Sequence, residues 1–197
     1  MNERKILLTA FEPFDATGSN SSLEVLKRLE LPWLETAILP VSYRRAAEEL
    51  THLMEEKRPD LVVCLGQAGG ETTVRLEKVA LNYTHATIAD NDGVLLRSGA
   101  VISGGPDAIF TKYNVEDLID RLSAHHAIKL SLTAGSYVCN STYYTALFRS
   151  NGNALFVHLP YCTGQGEPSE DPERMARIVR DLLLLLRGSE ESTASVL

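Results

Sequence analysis

Arg44-Arg45-Ala46-Ala47-Glu48-Glu49-Leu50-Thr51-His52-Leu53-Met54-Glu55-Glu56, then Pro59-Asp60, then Leu61-Val62-Val63-Cys64-Leu65, is the stretch that decides the fold class. Its first part is rich in Ala, Glu and Leu, the residues that lose least on entering a helix. Pro59 and Asp60 stop that helix, and the short apolar run Leu61–Leu65 reads as a strand. Upstream the same alternation recurs. Ile6 to Ala10 is a short apolar run ending at a Pro-containing turn, which reads as a buried strand. From Asn20 to Leu29, Leu23, Leu26 and Leu29 repeat at helical spacing, with Ser22 placed to cap. Ala37 to Val41 is a further strand, interrupted by Pro40 and therefore at an edge or a strand end. Strand, helix, strand, helix, strand argues for crossover units and a mainly parallel sheet covered on both faces.

Beyond Leu65 the pattern changes. Thr72 to Asn82 and Ala86 to Ile102 carry β-branched residues between turn signals at Asp90-Asn91-Asp92-Gly93 and Ser103-Gly104-Gly105-Pro106. They read as extended segments, with a hairpin at the sheet edge. A helix is predicted over Val115–Ala124 and a strand over Ile128–Thr133. A helix follows the Ala134-Gly135 turn, from Val138 to Arg149. Ala154–Leu159 is another apolar strand, Gly164–Ser169 a loop, and a last helix runs from Pro172 to Arg187. Gly188 ends it, and residues 188–197 are small and polar and are expected to fray. No repeat or linker divides the chain, so residues 1–187 are read as a single domain.

Composition narrows the function. The 197 residues are 44% hydrophobic and 23% charged, with a formal net charge of −7. A phosphate-binding face needs clustered Lys and Arg, so nucleic acid is not expected as a partner. No run reaches the length of a membrane span, and the N-terminus lacks the core and cleavage site of a signal peptide. Three cysteines, Cys64, Cys139 and Cys162, without framework spacing read as reduced thiols in a cytoplasm.

One of those thiols is placed for chemistry. Cys139 follows a strand and a small-residue turn and opens a helix. A thiol in the first helical turn lies near unpaired N–H groups and the positive end of the dipole, which favours thiolate. A lone cysteine is also commonly a small buried apolar residue. His158 ends the run Ala-Leu-Phe-Val-His, and Pro160 breaks the strand after it, so its ring can enter the same crevice. A core imidazole bonded to backbone is the competing reading. Glu77 shares one strand face with Val79 and Leu81, and an inward carboxylate needs a partner. An imidazole would serve, and so would a local Arg or Lys. His125 and His126 sit in a polar stretch and read as solvated. His158 and Cys162 are four apart, but Pro160 prevents a helix through them and there is no Cys-x-x-Cys, so no metal site is expected. Gly66-Gln67-Ala68-Gly69-Gly70 follows a strand without completing a nucleotide fingerprint.

Taken together, four segments resemble the type I pyroglutamyl peptidases, also called pyrrolidone carboxyl peptidases. They are Phe11-Glu-Pro-Phe14 with Asn20; Gly66-Gln67-Ala-Gly-Gly leading to Glu77-Lys-Val-Ala-Leu-Asn82; Thr133-Ala-Gly-Ser-Tyr137-Val138-Cys139-Asn140; and Phe156-Val-His158-Leu-Pro-Tyr161. They occur in the family's order and span nearly the whole chain. The resemblance implies an α/β fold, a three-layer αβα sandwich with a twisted mixed, mainly parallel sheet. It implies no metal or cofactor, a cytoplasmic location and a homo-oligomer, dimer or tetramer. It implies N-terminally pyroglutamylated peptides as substrates. On this resemblance Cys139 is the nucleophile, His158 the base and Glu77 the group that orients it. Phe11, Phe14, Tyr137 and Val138 line the ring pocket, and Gln67 hydrogen-bonds the lactam.

Departures from the family pattern are local. Thr87 stands where an Arg is usual, Arg75 where a small hydroxyl residue is usual, Asp15-Ala16 in place of glycines, and Ser21 in place of a Pro. Two other functions fit the same residues: a thiol hydrolase acting on a different small amide, and a non-catalytic protein that binds small lactams or peptides. A purine nucleoside phosphorylase has a related architecture but needs cationic phosphate ligands that Gly66–Gly70 does not supply.

Overall fold

A computed structural model describes residues 3–14 and 18–188. The elements in chain order are β1 (Ile6–Phe11), α1 (Ser21–Leu26), β2 (Glu35–Leu39), α2 (Tyr43–Lys57), β3 (Leu61–Gln67), β4 (Val74–Leu81), β5 (Ala108–Phe110), α3 (Val115–Ser123), β6 (Ile128–Thr133), α4 (Val138–Arg149), β7 (Ala154–Leu159), β8 (Tyr161–Cys162), β9 (Ser169–Glu170) and α5 (Pro172–Gly188). Seven strands form one sheet in the order β2-β1-β3-β7-β4-β5, with β6 also on β4. The pairs β2/β1, β1/β3, β3/β7 and β4/β6 are parallel, whereas β4 runs antiparallel to both β7 and β5. This is the mixed, mainly parallel αβα sandwich expected from the sequence.

The apolar runs lack alternation because both faces of the sheet are covered. Ile6, Leu8 and Ala10 of β1 join a core with α1, α3 and α5. Leu7 and Phe11 of the same strand join a second core with α2 and α4. Residues of β3 and β7 divide in the same way, and all of β7 is buried. A fully buried Leu or Phe contributes about 1.5–3 kcal/mol relative to exposure, so this two-sided burial is the main source of stability.

Helix starts are specified locally. Ser42 caps α2 by accepting from the Arg45 N–H, and Asp90 Oδ2 accepts from the Tyr43 N–H at 3.0 Å. Asn20, not Ser22, caps α1; its Oδ1 accepts from the Ser22 N–H. Ser22 instead accepts from the Phe11 N–H, joining helix to strand. That helix stops at Leu26 rather than Leu29, because the Arg28 and Leu29 N–H groups bond three residues back in a tighter turn.

The middle segment differs from its reading. Thr72–Asn82 supplies β4, which lies inside the sheet between β7 and β6, so β6 rather than β4 is the open edge. The alternation Glu77, Val79, Leu81 does not persist either. Ala80 joins the α2/α4 core, where β4 leaves β7 and pairs with β5. Ala86–Ile102 forms no hairpin. It is an irregular loop closed by one bridge, Thr84 to Gly99, and pinned by Asn82, whose side chain bonds Ile102 and Gly105. Its turn residues are used by side-chain bonds, with Asp90 Oδ1 accepting from the Asp92 and Val94 N–H groups. His126 is not solvated; it bonds Asp181 of α5 at 2.8 Å. Residues 15–16 and the tail from 189 lie outside the described residues.

Candidate active site

Near their C-terminal ends β3 and β7 pair at Gly66 and His158, and the start of α4 packs against Gly66, which brings Cys139 to the same place. Glu77 is fully buried on β4, opposite Phe156 of β7. His158 is 5% exposed near the end of β7, opposite Gly66 of β3 and Arg75 of β4. Glu77 Oε1 and His158 Nδ1 are 2.7 Å apart. An ionised carboxylate accepts only, and opposite one Nδ1 is the donor nitrogen and Nε2 the free one. Phe156 packs edge-on against the imidazole with centroids 4.7 Å apart, and fixes its plane.

Cys139 is the second residue of α4, and no side chain caps that helix at Tyr137. Its sulfur is placed by Gly66. A Cβ at position 66 would stand 3.0 Å from Cys139 Sγ and 2.6 Å from the Phe156 ring. Only glycine lets the thiol approach β3 beside the strand position paired with His158. Asn140 anchors the same helical turn: its Oδ1 accepts from the Leu81 N–H, and its Nδ2 donates to the Leu81 and Tyr83 carbonyls. Tyr143 donates to the Glu77 carbonyl from the next turn.

The charge state of Cys139 differs from the sequence expectation. Burial pushes the thiol up to about 12, with Glu77 and Cys64 adding to the shift and a backbone hydrogen bond opposing it. Desolvation opposes the helix start here and favours the thiol over the thiolate. Cys139 is nevertheless the only one of the three cysteines with part of its surface open; Cys64 and Cys162 are buried. Cys64 is likewise pushed up to about 12 by burial.

Phe11, Phe14, Tyr137 and Val138 border this position. Phe11 and Val138 are buried in the α2/α4 core, and Phe14 packs against Tyr137 with ring centroids 5.8 Å apart. The Tyr137 hydroxyl donates to the Ala89 carbonyl and so ties the 84–94 loop over the start of α4. Gln67 Oε1 accepts from the Ser21 N–H at 2.8 Å, a bond that a proline at 21 could not make. The oxygen end of Gln67 is therefore occupied, and Nε2 is the end left for a ligand.

Tyr43 was not legible as a site residue. Its ring meets Tyr137 at 5.5 Å in a T-shaped contact, and its hydroxyl is buried without a hydrogen-bond partner. No motif marks it, because it belongs by sequence to the start of α2. A trench of about 470 Å³ runs from Tyr43 between α2 and α4, past Thr84, Ile102, Ser141 and Thr145. Cys139, His158 and Glu77 are not in its lining. Thr87 is exposed on the overlying loop, and nothing in the structure explains its presence.

Among the described residues no group of three or more His, Cys, Asp or Glu side chains is gathered to hold a metal ion. Among the described residues no helix is long and apolar enough to cross a membrane.

A partly open thiol at a helix start, packed against the glycine that pairs with His158, together with a buried imidazole bonded to a carboxylate on an α/β sheet, fits the class of thiol hydrolases. The comparisons specify which. The family model for pyroglutamyl peptidase matches residues 4–175, and the chain belongs to that family. The pyrrolidone-carboxylate peptidase of Thermococcus onnurineus is 36% identical, over 80% of this chain and 84% of its own. That of Coprothermobacter proteolyticus is 34% identical over 94% of this chain and 93% of its own. The crystal structure of pyrrolidone carboxyl peptidase from Fervidobacterium islandicum superposes with a TM-score of 0.86 at 38% identity, covering 92% of this chain and 97% of that one.

Proposed function

We propose that this chain is a cysteine exopeptidase that hydrolyses the amide bond after an N-terminal pyroglutamyl residue, with Cys139, His158 and Glu77 as its catalytic residues. The observation that carries the reading is the 2.7 Å contact between Glu77 and His158, with the partly open Cys139 thiol packed against Gly66, the strand partner of His158. Family membership supplies the substrate class. Cys139 Sγ attacks the scissile carbonyl as His158 Nε2 accepts the thiol proton. The imidazolium, stabilised by Glu77, then protonates the departing amine, and the thioester remains. Water, deprotonated by His158, hydrolyses the thioester, returns the thiol and releases pyroglutamate. The uncapped N–H groups at the start of α4 are the donors for the oxyanion.

Substrate choice follows from the pocket. Pyroglutamate is a flat neutral lactam without an α-ammonium group. Phe14 and Tyr137, backed by the buried Phe11 and Val138, offer apolar walls, and Gln67 Nε2 donates to the ring carbonyl. The reading also includes a single catalytic domain over residues 1–187, a cytoplasmic location and a homo-oligomer. Three free thiols fit a reducing compartment.

Two outcomes check it. Iodoacetamide should alkylate Cys139 before Cys64 or Cys162, and 2-pyrrolidone, the bare lactam, should slow that labelling, both read by peptide mass spectrometry. Labelling that 2-pyrrolidone does not slow would remove the lactam pocket from the account. Separately, EDTA should leave turnover unchanged; a loss restored by zinc would contradict the thiol mechanism.

A further inference from the structure

Glu77 has a second charged neighbour besides His158. The Arg75 Nε stands 3.7 Å from Glu77 Oε1, and the two residues leave β4 on the same face, two positions apart. Across the sheet Arg75 pairs in register with His158 itself. Both sides of this contact are incompletely satisfied. Arg75 Nε and Glu77 Oε2 are buried and have no hydrogen-bond partner. The outer end of the guanidinium is held by Glu71, with Nη1 to Oε1 at 2.6 Å, and Glu71 also meets Lys129 of β6 at 3.3 Å. An arginine cannot shed its charge, so this is a permanent cation placed against the triad carboxylate.

We propose that Arg75 is a positioning residue of the triad: its guanidinium keeps the buried Glu77–His158 pair at a single proton near neutral pH, leaving His158 Nε2 free to act as base. This rests on the catalytic roles proposed above. A fully buried carboxylate bonded to a neutral imidazole carries an unbalanced negative charge. Without a neighbouring cation, the pair relieves that charge by taking up a second proton. The proton goes to Nε2, and the base is lost. With Arg75 present, shared with Glu71 on its outer side, that charge is offset in part and a second proton is disfavoured. The other ionisable groups facing the pair do not supply this. Cys139 and Tyr143 of α4 and Cys64 of β3 are neutral when protonated. Lys78 of β4 is engaged with Glu116, and Lys129 with Glu71. Among the described residues, Arg75 and His158 are the only basic groups within ion-pair distance of Glu77.

The sign of the effect is fixed. Removing the cation lets the pair bind its second proton more readily, so the acid limb of activity moves to higher pH. The test measures kcat/KM for a pyroglutamyl amide, and separately the rate of Cys139 alkylation by iodoacetamide, both against pH. The variants are Arg75→Gln, Arg75→Lys and Glu71→Gln. Arg75→Gln should lower kcat/KM at neutral pH at least about tenfold and raise the acid limb in both profiles. Arg75→Lys should keep most of the wild-type profile. Glu71→Gln, which frees the guanidinium from its outer partner at a partly exposed position, should move the limb the other way, to lower pH. An unchanged limb in Arg75→Gln overturns the proposal. So does a lysine variant as impaired as the glutamine one, or, should Arg75→Gln not fold, a Glu71→Gln limb that stays in place. Alkylation needs no substrate. Wild-type protein that shows the limb in alkylation but no hydrolysis would refute the activity and leave the role of Arg75 standing.

Discussion

Cys139→Ser should reduce hydrolysis of a pyroglutamyl amide by about 10³-fold or more and leave the fold intact. The serine hydroxyl is close to the thiol in size, and Cys139 is only partly buried, so the stability change should stay within about 1 kcal/mol. The loss is chemical. His158 serves to deprotonate the nucleophile during attack, because desolvation pushes the thiol upward and favours its protonated form. A hydroxyl is a much weaker acid than a thiol, and the same imidazole cannot carry that step at a useful rate. Cys64→Ser and Cys162→Ser are the controls. Both residues are buried, so each change places a hydroxyl in apolar surroundings and lowers the melting temperature. The protein that remains folded should still turn over. Inactivation by either of these, with Cys139→Ser active, would show that the nucleophile is a different cysteine.

Glu77→Gln should be nearly as damaging, about 10³–10⁴-fold in kcat. The amide has the shape of the carboxylate, so packing against Tyr143 and Phe156 is kept, and the Tyr143 bond to the backbone carbonyl of residue 77 survives. Two properties are lost. The negative charge that stabilises the imidazolium disappears, and Arg75 is left facing a neutral group. An amide nitrogen turned toward Nδ1 would also donate to it, placing the ring proton on Nε2, the wrong nitrogen for a base. Steady-state kinetics beside a thermal melt separates these from unfolding. A Glu77→Gln enzyme within about tenfold of wild type would mean that Glu77 only fills space beside His158.

What the sequence made legible follows a physical division. The doubly covered sheet was readable because runs such as Leu61–Leu65 and Ala154–Leu159 are continuously apolar, and that happens only where both faces are buried. Glu77 and His158 stood out as polar residues inside such runs, and Cys139 by its place at a helix start. The position of β4 was not readable. Its length and β-branched content suit an edge as well as an interior strand, and only pairing with β7 on one side and β6 on the other decides between them. β5 has three residues, too few for any period. The upward push on the Cys139 thiol was not readable, because a helix start is a local feature, whereas Glu77 and Cys64, which add to the push of burial, lie far away in sequence. Tyr43 and the Ser21–Gln67 bond were invisible for the same reason: each is a contact between segments that carry no shared signal.

The most direct test of the account is hydrolysis of three chromogenic amides, pyroglutamyl, prolyl and alanyl, by the purified protein. The prolyl compound keeps the five-membered ring but lacks the carbonyl that Gln67 Nε2 would meet, and it brings an ammonium into an apolar pocket. The alanyl compound lacks the ring altogether. A site built to pair a buried donor with its ligand rejects an analogue without the acceptor by about 10³-fold or more. The pyroglutamyl amide alone should be hydrolysed to that margin. Comparable hydrolysis of the prolyl or alanyl amide, or no hydrolysis of any of the three, would contradict it.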